Sequence, residues 1–138
     1  MPAKDLYHDA VRKALENDGW TVTHDPYTMK WGRKDLHIDL GAERLIAAEK
    51  IGHKIAVEVK SFVGQSEVND LEHALGQFIL YHDILANVES DRTLYLAIRD
   101  TVFVDVFQEP IGEVLLHNQR LRLIVFQLET ETVTQWIP

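Results

Sequence analysis

The stretch 54–61 constrains this chain more than any other part of it. Ile55, Val57 and Val59 alternate with Ala56, Glu58 and Lys60. A β-strand therefore puts three branched apolar side chains on one face, and two opposite charges beside a small alanine on the other. The branched face has to be packed against something. Charges set this deep in an apolar strand need partners, because an isolated carboxylate or ammonium is costly to bury. A cross-face ion pair between Glu58 and Lys60 meets that need, and so does a bound cation.

Helix and strand signals alternate around this strand. Residues 4–18 carry Leu6, Ala10, Val11, Ala14 and Leu15 at helical spacing, and Gly19 follows where a left-handed cap is wanted. Residues 20–24 read as a strand stopped by Asp25-Pro26, since proline lacks a ladder donor and restricts the residue before it. In 36–40, Leu36, Ile38 and Leu40 alternate with His37 and Asp39, the period of a half-buried strand, which ends at Gly41. Residues 45–50 form a further strand, joined to 54–61 by a turn through Gly52 and His53. Ser66 is the predicted N-cap of a long helix, 67–87, with Val68, Leu71, Leu75, Phe78, Ile79, His82 and Leu85 on or near its buried side. A strand over 93–98 follows, then 101–107, which reads as either a short helix or a strand with the helix favoured, a helix over 110–117 opened by Pro110 and capped by Asn118, and a strand over 121–128. This order predicts an α/β fold, with one mixed sheet between helices in a three-layer α/β/α arrangement and a single domain spanning 1–138.

Composition removes several classes of function. The chain has no cysteine, which excludes a disulfide scaffold, a thiolate zinc site and a cysteine nucleophile. No apolar run approaches the roughly 18–20 residues that cross a bilayer. The first five residues lead into a charged amphipathic pattern rather than the apolar stretch of a secretory signal, so a soluble cytoplasmic protein is expected. The net charge of −8 argues against a general nucleic-acid coat. That charge is lopsided: residues 1–60 carry ten Lys or Arg and ten Asp or Glu, whereas 61–138 carry four and twelve. Within the first half, Lys30, Arg33 and Lys34 gather around Trp31 and Gly32. Such a basic and aromatic patch can hold a nucleic-acid backbone, or it is simply a solvated loop.

The residues that can carry chemistry are Asp39, Glu58 and Lys60, with Gln77 and Tyr81 on the long helix. Two carboxylates and a backbone carbonyl, such as that of Val59, make a hard all-oxygen site suited to Mg²⁺ or Mn²⁺ rather than to zinc. A metal so placed lowers the pKa of a bound water and stabilises charge building on a phosphorus centre, and a neighbouring lysine can orient or deprotonate that water. Gln77 and Tyr81 stand one helical turn apart and share a face, so both can reach one site.

Asp39 with Glu58-Val59-Lys60 resembles the PD-(D/E)xK nuclease motif, and Gln77-Phe78-Ile79-Leu80-Tyr81 resembles the Q-x-x-x-Y motif of its RecB-like branch. The whole chain is similar to the XisH family, the fdxN element excision controlling factors of cyanobacteria. The segments that carry the similarity include His8-Asp9-Ala10-Val11, Asp18-Gly19-Trp20, Thr23-His24-Asp25-Pro26, Ile38-Asp39-Leu40-Gly41-Ala42-Glu43, Glu58-Val59-Lys60-Ser61-Phe62 and Gly76-Gln77-Phe78-Ile79-Leu80-Tyr81. The resemblance implies a restriction-endonuclease-like fold and a part in excising a DNA element, beside a site-specific recombinase and a XisI-type companion. It also implies that Asp39 and Glu58 bind the metal, that Lys60 acts on the attacking water, and that Gln77 and Tyr81 steady the site or touch a phosphate. Ile38 stands where the motif's proline would be.

Other residues have two readings each. Asp9 matches the acidic residue that the superfamily often places on its first helix, and is equally an i, i+4 partner for Lys13. The seven histidines show no paired-ligand spacing; His73, one turn before Gln77, either edges the site or sits on the surface. Tyr81 is either a site residue or a core residue whose hydroxyl reaches the surface. Trp20, Trp31 and Trp136 fit packing roles, with Trp31 the candidate for base stacking. Two functions follow: a metal-dependent endonuclease acting in DNA excision, or a non-catalytic factor of the same fold that binds a companion and assists a recombinase. A homo-oligomer is compatible with both.

Overall fold

A computed structural model describes residues 6–35 and 45–138. The predicted strand over 36–40, and Asp39 with it, lies outside the described residues, as do the first five positions.

The first helix, α1 (His8–Asn17), starts later than the predicted 4–18, with Leu6 exposed in the turn before it, and Gly19 takes φ +91° just beyond its end. Val11, Ala14 and Leu15 fall on its buried stripe. Strand β1 (Thr21–His24) ends at a cis Asp25–Pro26 peptide. Two short strands follow that the sequence did not announce, β2 (Lys30–Trp31) and β3 (Lys34–Asp35), which pair into a hairpin of their own. Then come β4 (Leu45–Lys50) and β5 (His53–Val59), the charged-and-branched strand. The long helix α2 (Glu67–Val88) opens on Ser66, whose hydroxyl accepts the Asn69 N–H at 3.2 Å, the expected cap.

Beyond α2 the chain forms β6 (Arg92–Arg99), a helical turn α3 (Asp100–Val102) that continues as a π-helical turn over Phe103–Phe107, and α4 (Pro110–His117) with Pro110 in its first turn. The last strands are β7 (Leu123–Gln127) and β8 (Thr132–Ile137). No strand was predicted at β8, because Thr132, Thr134 and Gln135 blur its alternation and it is a half-exposed edge.

The six strands stand in the order β1-β4-β5-β6-β7-β8. The strands β5, β6 and β7 run parallel in the centre, and the outer pairings are antiparallel, which makes the mixed sheet of an α/β/α sandwich. Strand alternation sorts the core into two layers. Ile55, Val57, Val59, Ala97, Ile124 and Phe126 face α1. Ala56, Leu94, Leu96, Ile98, Leu123 and Val125 face α2 and the helical segments after β6. Helix α1 touches both edge strands, and Trp20 beside β1 stacks on Trp136 of β8 at 5.6 Å, so the sheet curls around α1.

One expectation about α2 is corrected. Leu71, Phe78 and Leu85 are buried as predicted, but Val68, Ile79 and His82 face solvent, and Ala74, Gln77, Tyr81 and Ile84 complete the buried stripe. The stripe therefore includes Gln77 and Tyr81, which face the same side of the sheet as Glu58.

Candidate functional site and family

Strand β5 delivers Glu58 to the face beneath α2, since it shares parity with Ala56 while Val57 and Val59 point toward α1. In the ladder Glu58 lies between Leu45 of β4 and Leu96 of β6, and its exposure is 0%. A carboxylate between two leucines in the middle of a sheet is a costly placement that folding alone does not call for. The Lys60 N–H donates to the Ala97 carbonyl at 3.1 Å, so the extended chain continues past β5 and Lys60 falls on the same side as Glu58, half-buried. The chain then turns sharply: Phe62 takes φ +56°, a left-handed conformation unusual for a bulky residue, and its ring packs edge-on against Phe107 at 6.1 Å. This turn ends the strand directly after the charged residues, leaving Lys60 at a strand end. The Gly64 N–H donates to Asp70 at 2.9 Å, which ties the loop to the start of α2.

Gln77 and Tyr81 lie on the sheet-facing side of α2, both buried, in the same layer as Glu58. Tyr81 is enclosed rather than reaching the surface, its exposure being 1%. None of Glu58, Lys60, Gln77 and Tyr81 is without an interaction partner. The structure thus brings four of the five central candidates to one side of one sheet, with Asp39 outside the described residues. Glu58 and the Val59 carbonyl are hard oxygen donors, which fits Mg²⁺ or Mn²⁺. Among the described residues no three His, Asp or Glu side chains cluster as a complete metal site. His73 and Asp9 are both exposed.

The basic patch takes the form of the β2–β3 hairpin. Its two-residue turn is Gly32-Arg33, with Gly32 at φ +66° as the first central position of a type II′ turn requires. Met29 anchors the hairpin in the core, while Trp31 is 50% exposed beside the exposed Lys30 and Arg33, and Lys34 is its backbone partner across the hairpin. Trp20 and Trp136, by contrast, pack on each other.

Sequence reading missed a second buried polar cluster. His8 is 1% exposed; its Nε2 lies 2.8 Å from Asp25, and Arg12 donates to the other Asp25 oxygen at 2.9 Å. The signal was available, since His8 falls three and seven positions before Val11 and Leu15, on the buried stripe of α1.

The opposite end of β5 holds an ionic network. Arg92 grips both oxygens of Glu89 at 3.0 Å, donates to the Ile55 carbonyl and lies over the Tyr27 ring. Tyr27 donates to Glu89 at 2.6 Å. The Arg92 hydrogen bonds hold Glu89 down at about 2, and burial together with the bond to Glu89 pushes Tyr27 up to about 12.

Comparison with known proteins gives these observations a family. Among curated proteins no match was found. Among solved structures, an XisH family protein from Nostoc punctiforme is 38% identical with a TM-score of 0.88, over 97% of this chain and 100% of that one. An fdxN element excision controlling factor protein from Anabaena variabilis is 41% identical with a TM-score of 0.86, over 96% and 98%. The model of the XisH protein family matches residues 1–134, and the chain accordingly belongs to the XisH family.

Proposed function

We propose that the chain acts in the controlled excision of a DNA element, as the name of its Anabaena relative describes, with a metal-dependent phosphodiester-hydrolysing site of the restriction-endonuclease-like type at the Glu58 end of β5. The observation that carries the reading is Glu58 itself: a fully buried carboxylate between Leu45 and Leu96, followed at once by Lys60 and a strained turn. Evolved sites tolerate such costs where the charge is used. Glu58, the Val59 carbonyl and Asp39 would hold Mg²⁺ or Mn²⁺, which when bound supplies an acidified water and neutralises charge at phosphorus. Lys60 orients that water or takes its proton. Gln77 and Tyr81 brace the carboxylate from α2, and Lys30, Trp31, Arg33 and Lys34 hold the DNA backbone. A site-specific recombinase and a XisI-type companion complete the system, inside the cell where the DNA lies.

A second reading, an accessory factor that binds a companion without cutting, is favoured by the charge: −8 in all, with twelve carboxylates against four cations in 61–138. Supercoiled and branched DNA incubated with Mn²⁺ separates the two. Nicking that Glu58→Gln and Asp39→Asn abolish, and that Lys60→Ala lowers by roughly two to four orders of magnitude, supports hydrolysis. Nicking absent from the parent, or unchanged in Glu58→Gln, leaves the accessory reading.

A further inference from the structure

Helix α4, Pro110–His117, presents an apolar surface in an unusual way. It contains Ile111, Val114, Leu115 and Leu116, yet of its eight residues only Gly112 is buried. The reason is steric. A Cβ at position 112 would run into the Val106 carbonyl and the Phe107 Cα, so the helix rests glycine-down on the preceding π-helical turn at backbone contact. Docked through its glycine, it packs Leu115 and Leu116 against the core and turns Ile111 and Val114 outward, at 46% and 49% exposed. Beside them runs an open cleft of about 590 Å³ lined by Phe103, Pro110, Val114 and Leu116 together with Glu113 and His117. A π-helical turn breaks the regular helical bond pattern, and such turns gather at functional positions.

Charge decides what fits there. Glu113 lines this cleft, Glu109 caps the start of α4 and Asp105 lies on the preceding π-helical turn; all three are exposed and form no ion pair among the described residues, and residues 100–119 contain no Lys or Arg. A two-fold contact between copies would set one copy's carboxylates against the other's, since both sides use the same patch. We infer that the outward face of α4 and its cleft dock a cationic amphipathic helix of a partner protein, one whose apolar ridge is flanked by lysine or arginine. The apolar ridge fills the cleft between Phe103 and Val114, and the flanking cations meet Glu113 and its neighbouring carboxylates, where they set specificity and salt dependence. This face is remote in sequence from Glu58 and Lys60, and the inference stands whether or not that site hydrolyses DNA.

The test uses the full chain and two synthetic helical peptides with leucines at heptad spacing, one carrying lysine and the other glutamate at every remaining position. Titration calorimetry should give a dissociation constant of about tens of micromolar for the lysine peptide, and binding at least about tenfold weaker for the glutamate peptide. Ile111→Ser with Val114→Ser should weaken the lysine peptide by about tenfold or more without lowering Tm, because both side chains are already exposed. Glu109→Gln with Glu113→Gln should flatten the salt dependence. Equal binding of the two peptides, no binding of either, or a serine variant that binds like the parent would overturn the inference. So would a parent dimer in sedimentation velocity that the serine variant dissociates, which would make a second copy the occupant.

Discussion

The two ends of β5 bury charge in opposite ways. At the start of the strand, Arg92 is enclosed by groups that account for it fully: both oxygens of Glu89, the Ile55 carbonyl, the Tyr27 ring and, at 3.5 Å, Glu49. Lys54 adds contacts of 3.7 Å to Glu89 and 3.5 Å to Asp91. This network joins α2, β6 and the segment after β1, and folding is a sufficient reason for it. At the end of the strand, Glu58 lies between leucines in the sheet, and a lysine two residues on and a left-handed phenylalanine mark the place where the chain leaves it. Burial of charge alone is therefore no sign of function. Its setting distinguishes the two cases: the Arg92 charge is held by groups from several elements as a clamp, whereas the Glu58 carboxylate stands in an apolar ladder at a strand end, where the proposed site lies.

The largest expected effect lies at the clamp. Arg92→Ala leaves Glu89 and the Tyr27 hydroxyl without their partner and should cost about 3–5 kcal/mol in urea denaturation. A loss below about 1 kcal/mol would mean the network is ornamental and erase the contrast. At the other end, Glu58→Gln removes a buried charge without changing its shape, so the variant should stay folded. If Glu58 holds Mn²⁺ as proposed, the parent gains about 2.7 kcal/mol at a hundredfold excess over the dissociation constant, a rise of several degrees in Tm, and the variant loses that gain. A Mn²⁺ response that survives in Glu58→Gln would remove Glu58 from the proposed metal site.

Acid sharpens the contrast further. The Glu89 carboxylate is held below its unfolded value, so its stabilisation is complete above about pH 4.5 and is lost as pH falls toward about 2. Discounted for the partial exposure of Glu89, the parent should lose about 2 kcal/mol across that interval, and Glu89→Gln should show a flatter profile in thermal melts. Tyr27→Phe is the mildest test: deleting one hydroxyl that donates to a charged acceptor should cost about 1 kcal/mol. A neutral result would assign the clamp to Arg92 and Glu89 alone.

Much of this was legible in the chain. The alternation in β5 placed Glu58 and Lys60 on one side, Ser66 and Pro110 marked helix starts, and Gly19 marked a helix end, because each of these depends on backbone geometry within a few residues. Less legible were the features that depend on how elements meet. The β2–β3 hairpin has only two residues per strand, too few for a period, and β8 is an edge with a blurred pattern. The buried stripe of α2 was read too far toward Ile79 and His82, since hydrophobicity alone could not say that Gln77 and Tyr81 face the sheet. His8 was read for metal spacing, and its partner Asp25 lies 17 residues away.

The sequence by itself determined the order of helices and strands and the side of β5 on which its charges emerge, since the strand period of two and the helix period of 3.6 are local properties of the backbone. Only the tertiary structure decided that this side lies under α2 and that Arg92 closes a clamp with Tyr27 and Glu89. It also decided that α4 docks through Gly112 with Ile111 and Val114 outward. Those outcomes depend on close packing between segments far apart in the chain, where a single glycine or a single buried charge settles which surfaces can touch.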